Sequence, residues 1–222
     1  MDKPDALEAA GIVVRMCENL LGTVSTYGRW ASEARTACGD LIASAYTLLR
    51  NDNVAGQMDK CFQLIWLAGA AQPQIAAVRI FLEAEKPKSL GAIATQNLGI
   101  RFCLVIECNI IINTTFISRE DVDAIKYTMN IPFRAAEEIA ADDMDQAALL
   151  AIVKLWSTLV NYLVATELPL PQMLSYWFAD VFPSLLVSQR LYSDASNADA
   201  IRDGNKIVHP AFCPPTGRAL AT

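Results

Sequence analysis

The chain has a single histidine, His209, in 222 residues. That excludes any metal site built on two imidazoles. A Ser-His-Asp triad would have to recruit His209, and no strand-turn-helix nucleophile elbow exists for it to serve. Cysteine is present at positions 17, 38, 61, 103, 108 and 213, without CxxC and without a Cys/His spacing that suits zinc. A glycine-rich phosphate loop is missing too, since "GDLIAS" and "LGAIATQNLG" lack the spacing and the preceding strand. Charge is sparse, with 19% charged residues and a formal net charge of −6. Clustered Lys and Arg able to neutralise phosphates are absent, which argues against a nucleic-acid partner. No catalytic, metal or cofactor residues are assigned, and the chain is not expected to be an enzyme.

What the chain has is apolar mass. Hydrophobic residues make up 53% and mean hydropathy is +0.27, high for a soluble monomer. Either most helices are buried on several sides or apolar surface is hidden against other subunits. The start "MDKPDALEAAG" has acids and a Pro where a signal peptide needs a basic end and an apolar stretch. The candidate membrane span is 100–117, "IRFCLVIECNIIINTTFI", but Glu107, Asn109 and Asn113 interrupt it. A buried helix is the expectation there, with a strand as the local rival because Val, Ile and Thr are dense. The six cysteines are expected to be reduced, buried thiols. Cross-linking of some of them in an extracellular particle is the alternative.

Helical spacing dominates the first half. Residues 5–21 put Leu7, Ala10, Val14, Cys17 and Leu21 on one face before Gly22. A second helix is expected over 24–50, closed by an Asn51-Asp52-Asn53 turn. A third run, 57–84, is broken at Pro73, and "EKPKSLG" is the first clear loop. Further on, Ser118 with Asp121 and Asp143 with Gln146 read as helix caps. The helix after the second cap carries a stripe of Leu149, Ile152, Val153, Trp156, Leu159, Val160 and Leu163. "ELPLPQ" stops it. Short helices are expected over 171–178 and 184–192, the latter led by Pro183, and another from an Asn197 cap to about 204. These elements give a mainly α fold, a multi-helix bundle-like domain ending in a small helix-plus-extended motif. The segments are 1–86, an N-terminal helical part; 87–182, a central helical domain; and 183–222, a docking motif.

Two constellations need a chemical reading. His209 precedes Pro210, which favours extended backbone, so a turn histidine bonded to backbone is expected rather than a catalyst. Glu137-Glu138 and Asp142-Asp143 belong to a stretch, 119–145, with eight acids against three bases, which reads as solvated helix starts and loops.

Residues 183–220, "PSLLVSQRLYSDASNADAIRDGNKIVHPAFCPPTGRAL", resemble the C-terminal signature of the DNA circularisation proteins of Mu-like contractile-tailed bacteriophages. That pattern is a Pro-led apolar helix, Arg-Leu-Tyr-Gly-Asp, an Ala-rich capped helix, then Ile-x-His-Pro-x-Phe-x-Pro and a Gly before a Leu. Pro183, Arg190, Leu191, Tyr192, Asp194, Ala198, Ala200, Asn205, Ile207, His209, Pro210, Phe212, Pro214, Gly217 and Leu220 fit it. Ser193 stands where the family has Gly, and Gly204 where it often has Arg. The likeness covers 118–222, with 1–117 matching only as helical. Relatives of that family carry a separate N-terminal domain, whereas this chain starts directly in helices. The same motif resembles a LysM module more loosely.

The resemblance implies a structural protein of a phage tail baseplate or tail tip, assembled in the bacterial host cytoplasm and carried in the virion. Its partners would be other baseplate chains or a tape-measure protein, in several copies per particle; the interruptions at Glu107, Asn109 and Asn113 speak against a membrane span, and the acidic charge speaks against carrying over DNA binding. The alternatives it raises are a LysM-like binder of cell-wall glycan and a DNA-end-binding protein. The expected interaction motif is Arg190, Leu191, Tyr192, Asp194, Asn205, Ile207, His209, Pro210, Phe212, Pro214 and Gly217. Within it, Leu191 and Tyr192 should anchor the 184–192 helix, Asn205 should end the next helix in a left-handed turn, and Ile207, Val208 and Phe212 should run extended over Leu185, Leu186 and Tyr192. A fully enclosed Tyr192 would cost roughly 3–5 kcal/mol to replace by Ala.

The apolar content generates one prediction by itself. The isolated protein should self-associate or bind a hydrophobic dye. Sedimentation that finds a compact, dye-negative monomer would contradict this.

Overall fold

The computed structural model describes residues 2–24 and 27–221, and Ser25 and Thr26 of the expected 24–50 helix fall outside it. The protein is mainly α: helix covers 70% of the chain, and the described residues hold nine helices and one two-stranded sheet. It divides into two compact units, residues 1–114 with 130–159, and residues 115–129 with 160–222. This division does not follow the expected boundaries at 86 and 182. The reason at 86 is local: the 85–89 loop is hooked onto the first helix, where Glu8 accepts from the backbone N–H of Lys88 and Ser89, and Arg15 pairs with Glu85 at 2.8 Å.

The first unit begins with α1 (Lys3–Gly22), α2 (Arg29–Arg50), α3 (Ala55–Leu67), α4 (Gln72–Ala84) and α5 (Leu90–Ile112). It also takes the 130–142 stretch of α6 (Arg119–Asp142) and the 146–159 stretch of α7 (Gln146–Glu167). Pro73 sits in the first turn of α4, where its missing N–H costs nothing, so it starts a helix rather than bending one. The 51–53 turn closes α2, with Asp52 at a φ of 56°. Along α1 the buried stripe is Ala6, Ala9, Ile12, Val13, Met16, Cys17 and Leu20, and Leu7 is exposed. The expected face was therefore off by one position, because Ala and Cys, not only the larger apolars, line the crossing.

The apolar run at 100–117 is helix up to Ile112, and the helix starts ten residues earlier, where the Ser89 hydroxyl accepts from Ala92 N. α5 buries most of its circumference, through Ala92, Gln96, Ile100, Cys103, Leu104, Ile106, Glu107 and Ile111, and packs on α1, α3 and α4. One stripe, Ala94, Leu98, Arg101, Val105, Asn109 and Ile112, is half-buried or exposed. The closest approach of α5 is at Gly99, where a Cβ would lie 3.0 Å from both Leu82 Cδ1 and Met16 Sδ. By length and composition α5 and α7 are both able to cross a membrane; 61% of α5's apolar window is buried within the protein and 17% of α7's. In α7, Ile152, Leu159 and Leu163 of the expected stripe are buried, Leu149, Trp156 and Val160 half-buried, and Val153 exposed. The cap of α7 is Asp145, whose Oδ1 accepts from Ala148 N, rather than Asp143, whose carboxylate accepts from the Asn97 amide.

Inside this unit lies a charged pair. Glu107 is fully buried, and its two oxygens accept from Arg79 Nε at 2.8 Å and Gln72 Nε2 at 2.9 Å; Arg79 also reaches Glu83 at 2.8 Å. Burial pushes the Glu107 carboxyl above the usual carboxylate range, against the pull of Arg79 and Gln72. Arg79→Met should therefore destabilise the protein by about 3–5 kcal/mol near neutral pH, by orphaning a buried charge. A carboxyl whose folded pKa is raised destabilises the fold only while it is ionised, so the deficit should shrink as pH falls from about 7.5 toward 5. Urea unfolding at the two pH values measures both effects.

Candidate docking site

The second unit opens with residues 115–129. Ser118 and Asp121 form the expected reciprocal cap of α6, the Ser118 hydroxyl accepting from Asp121 N and Asp121 Oδ2 accepting from Ser118 N. Arg119 Nε donates to the Leu170 carbonyl at 2.7 Å, which holds the chain leaving α7. After α7 come β1 (Met173–Trp177), α8 (Ser184–Tyr192), α9 (Ala198–Gly204) and β2 (Thr216–Leu220). Residues 171–178 were expected to be a short helix and are strand instead. β1 pairs antiparallel with β2, Tyr176 opposite Gly217 and Met173 opposite Leu220. Long-range pairing has overridden local propensity.

The four elements enclose a small core of Tyr176, Val187, Ile201, Cys213 and Ala219, with Phe178, Phe182, Tyr192 and Ile207 packed against it. Tyr176 is its largest buried member. The Tyr176 ring lies where a side chain on Gly217 would be: a Cβ there would sit 2.4 Å from Tyr176 Oη and 2.8 Å from Asn205 Oδ1. The Tyr176 hydroxyl is buried without a hydrogen-bond partner. Phe178 packs on Tyr176 with the rings tilted by 43° and 5.5 Å apart, and meets Phe182 edge-on at 5.7 Å. Neither Tyr176 nor the two phenylalanines were singled out from the sequence.

Most motif residues hold this core shut. The Arg190 guanidinium lies 4.3 Å over the Phe182 ring. The Tyr192 hydroxyl donates to the Leu220 carbonyl at 2.8 Å, covering part of the outer edge of β2. Asn205 covers more of it: its Oδ1 accepts from Arg218 N and its Nδ2 donates to Arg218 O, both at 2.7 Å, and Nδ2 also reaches Ile201 O. Asn205 itself is not left-handed (φ −102°); Lys206, one residue later, is, with a φ of 52°. Ser193, in place of the family's Gly, ends α8 in the left-handed conformation with φ 58°, the geometry in which glycine carries no Cβ penalty. Asp194 accepts from Ser196 N and the Ser196 hydroxyl, which hold its carboxyl below the usual range. Asn197 precedes α9 but makes no side-chain cap.

The His209–Phe212 segment is a tight turn, not an extended run. Phe212 N donates to His209 O at 3.0 Å, and His209 Nδ1 accepts from Ala211 N at 3.2 Å. The Pro210 carbonyl accepts from Ser184 N at 2.7 Å and so satisfies a free N–H at the start of α8. Pro214 is exposed, while Cys213 beside it is buried and pairs with Phe182 through the backbone. The expected packing of Val208 and Phe212 over Leu185 and Leu186 does not occur. Val208 is 100% exposed, Phe212 68% and Leu185 61%. Leu191 is exposed as well, so Tyr192 anchors α8 without it. Phe212 closes the 209–212 turn with its side chain outward, while Cys213, next in the chain, is buried. Phe212 keeps one ring contact, a tilted stack on His209 at 5.3 Å.

Several depressions flank the motif, and two bear on what it could bind. One, of about 580 Å³, is lined by Ser175, Trp177, Lys206, Thr216 and Arg218 among others, and Trp177 is 73% exposed. The other, of about 420 Å³, brings Leu185 beside Pro210 and Ala211. No group of His, Cys, Asp or Glu side chains among the described residues is arranged to hold a metal. No family model matches this chain, and no curated protein matches it.

The two tyrosines generate opposite expectations for one substitution. Tyr192→Phe should cost about 1 kcal/mol, because the Leu220 carbonyl loses its donor. Tyr176→Phe should be neutral or stabilising by up to about 1 kcal/mol, because it removes an unpaired buried hydroxyl. Tyr192→Ala should cost about 2–3 kcal/mol, less than a fully enclosed ring would, since Tyr192 is half-buried. Gly217→Ala should cost about 1–3 kcal/mol by driving a methyl into Tyr176. Thermal melts rank all four, and a stabilising Gly217→Ala would contradict the packing described.

Proposed function

We propose that the chain is a non-enzymatic structural subunit of a contractile phage tail baseplate or tail tip, and that its C-terminal unit is a LysM-like module used to dock on a neighbouring protein chain. What carries the reading is how the 183–220 signature divides. Tyr192, Asn205, Gly217, Arg190 and the Pro210 carbonyl are used up in closing the module. Phe212 is left pointing out of a pinned turn beside fully exposed Val208. A rigid turn presenting two bare apolar side chains loses little entropy on binding, which suits a permanent protein joint. Support for the LysM-like description is the strand-helix-helix-strand order around one antiparallel pair.

That order also favours the second reading, a cell-wall glycan binder. In that case the 580 Å³ depression with exposed Trp177 and the polar Ser175, Thr216, Lys206 and Arg218 would be the sugar site. The two readings separate experimentally. Under the docking reading the isolated protein stays in solution when mixed with insoluble cell wall, and purified virions contain it at a low fixed stoichiometry. A Val208→Asp, Phe212→Ser double variant should melt within about 0.5 kcal/mol of the parent, since both side chains are exposed, yet be absent from particles in a complementation assay. Cell-wall binding that Trp177→Ala abolishes, with normal incorporation of the double variant, would replace docking by glycan recognition.

A further inference from the structure

The two edges of the β1–β2 pair differ in how they end. On β2 the outer backbone groups of Arg218 and the Leu220 carbonyl are taken, the first by Asn205 and the second by Tyr192. On β1 the alternation of the ladder decides which groups face outward. Ala221 N donates to the Gln172 carbonyl and Phe178 N to the Pro215 carbonyl, both at 2.7 Å. Gln172, Leu174, Tyr176 and Phe178 therefore turn their backbone toward β2, and Met173, Ser175 and Trp177 turn theirs away. Glu120 accepts from Met173 N at 2.9 Å. The Met173 carbonyl and both backbone groups of Ser175 and of Trp177 have no partner among the described residues. Side chains leave this edge uncovered, for Leu174, Ser175 and Trp177 are all exposed. The strand "MLSYW" also contains neither a charge nor a proline, two devices that blunt a free edge.

We propose that the outer edge of β1 pairs with the same edge of a second copy of this chain, antiparallel about a two-fold axis at Ser175, so that two ribbons join into one continuous sheet. What selects a second copy is that the strand matches itself. Turned end for end, Ser175 lies opposite the Ser175 of the other copy, and Met173 lies opposite Trp177. Each Ser175 N–H then meets the other Ser175 carbonyl, and each Trp177 N–H meets a Met173 carbonyl. The remaining donor of the edge, Met173 N, is the one that Glu120 already holds, so no N–H is left over. On the exposed face the small Ser175 at the axis gives Trp177 room to lie on the Met173 of the other copy, a ring–thioether contact. Like charges do not meet, because the strand has none. A contact of this kind closes on itself as a dimer. It is short, so the association is weak and follows concentration. The proposal concerns the strand edge and not the 209–212 turn, and it does not rest on the docking role.

The test uses the full chain. Sedimentation over a concentration series should show a monomer–dimer equilibrium. Amide exchange followed by NMR should slow roughly tenfold or more at Ser175 and Trp177 as the dimer fills, while Leu174 and Tyr176, already paired with β2, stay unchanged. Ser175→Pro removes the central donor at an edge position that tolerates proline and should weaken the dimer roughly tenfold or more. Ser175→Lys, which puts like charges on the axis, should do the same. Ser175→Cys should link two copies on mild oxidation, since the paired Cα atoms would lie about 5.5 Å apart; Leu174→Cys, one residue off the axis, should stay unlinked. If Ser175→Pro does not fold, the Lys variant and the parent's exchange pattern still decide. A chain that stays monomeric at every concentration reached would overturn the proposal and leave the edge to a strand of another protein. A dimer that keeps the parent's affinity in both Ser175 variants, or a link through Leu174→Cys without one through Ser175→Cys, would overturn it as well.

Discussion

Tyr176 and Gly217 face each other across β1 and β2, and the ring occupies the space that a side chain at 217 would take. That one steric arrangement fixes much else in the C-terminal unit. With the ring laid across the strand pair, the register is set, because a one-residue slip would bring Thr216 or Arg218 under the phenol. The register in turn places Arg218 N and O on the outer edge of β2, where the Asn205 amide meets both, and the Leu220 carbonyl where the Tyr192 hydroxyl reaches it. A two-stranded ribbon is marginal alone in water. Here side chains from α8 and from the end of α9 stand in for part of a third strand, pairing with Arg218 and Leu220 on the outer edge of β2.

This explains which parts of the fold were legible. Helices with a cap and a breaker were readable, since Ser118 with Asp121, Pro73 and the Asn51–Asn53 turn act on backbone groups a few residues away. β1 was not readable. "MLSYW" gives one apolar alternation and one aromatic pair, and its state is decided by a partner strand more than forty residues later. The same holds for the α7 cap, where three carboxylates, Asp142, Asp143 and Asp145, compete and only the start of the helix chooses among them.

Several residues of the 183–220 signature take a geometry other than the one expected. Tyr192 was expected to anchor the 184–192 helix, and its half-buried ring reaches the Leu220 carbonyl through the hydroxyl. Asn205 was given a left-handed turn that Lys206 makes instead, because the Asn amide is committed to β2. Val208 and Phe212 were expected to pack over Leu185 and Leu186; instead Cys213, bridged to Phe182 through the backbone, takes the core position and both stay exposed.

The two units also differ in how they use polar groups. The first unit buries a carboxylate in its core and surrounds it with Arg79 and Gln72, so Glu107 fixes how α4 meets α5 at a cost in stability. The second unit buries almost no charge; its polar side chains lie at the rim and satisfy backbone edges. A module built that way keeps its form while its exposed turn is free to vary, since Val208 and Phe212 make no hydrogen bond through their side chains that the fold depends on. The 183–220 signature is therefore in good part a description of a scaffold. Under the docking proposal, choice of partner rests on side chains the scaffold leaves outside, and Leu191, His209, Phe212 and Pro214 are among those that belong to both groups.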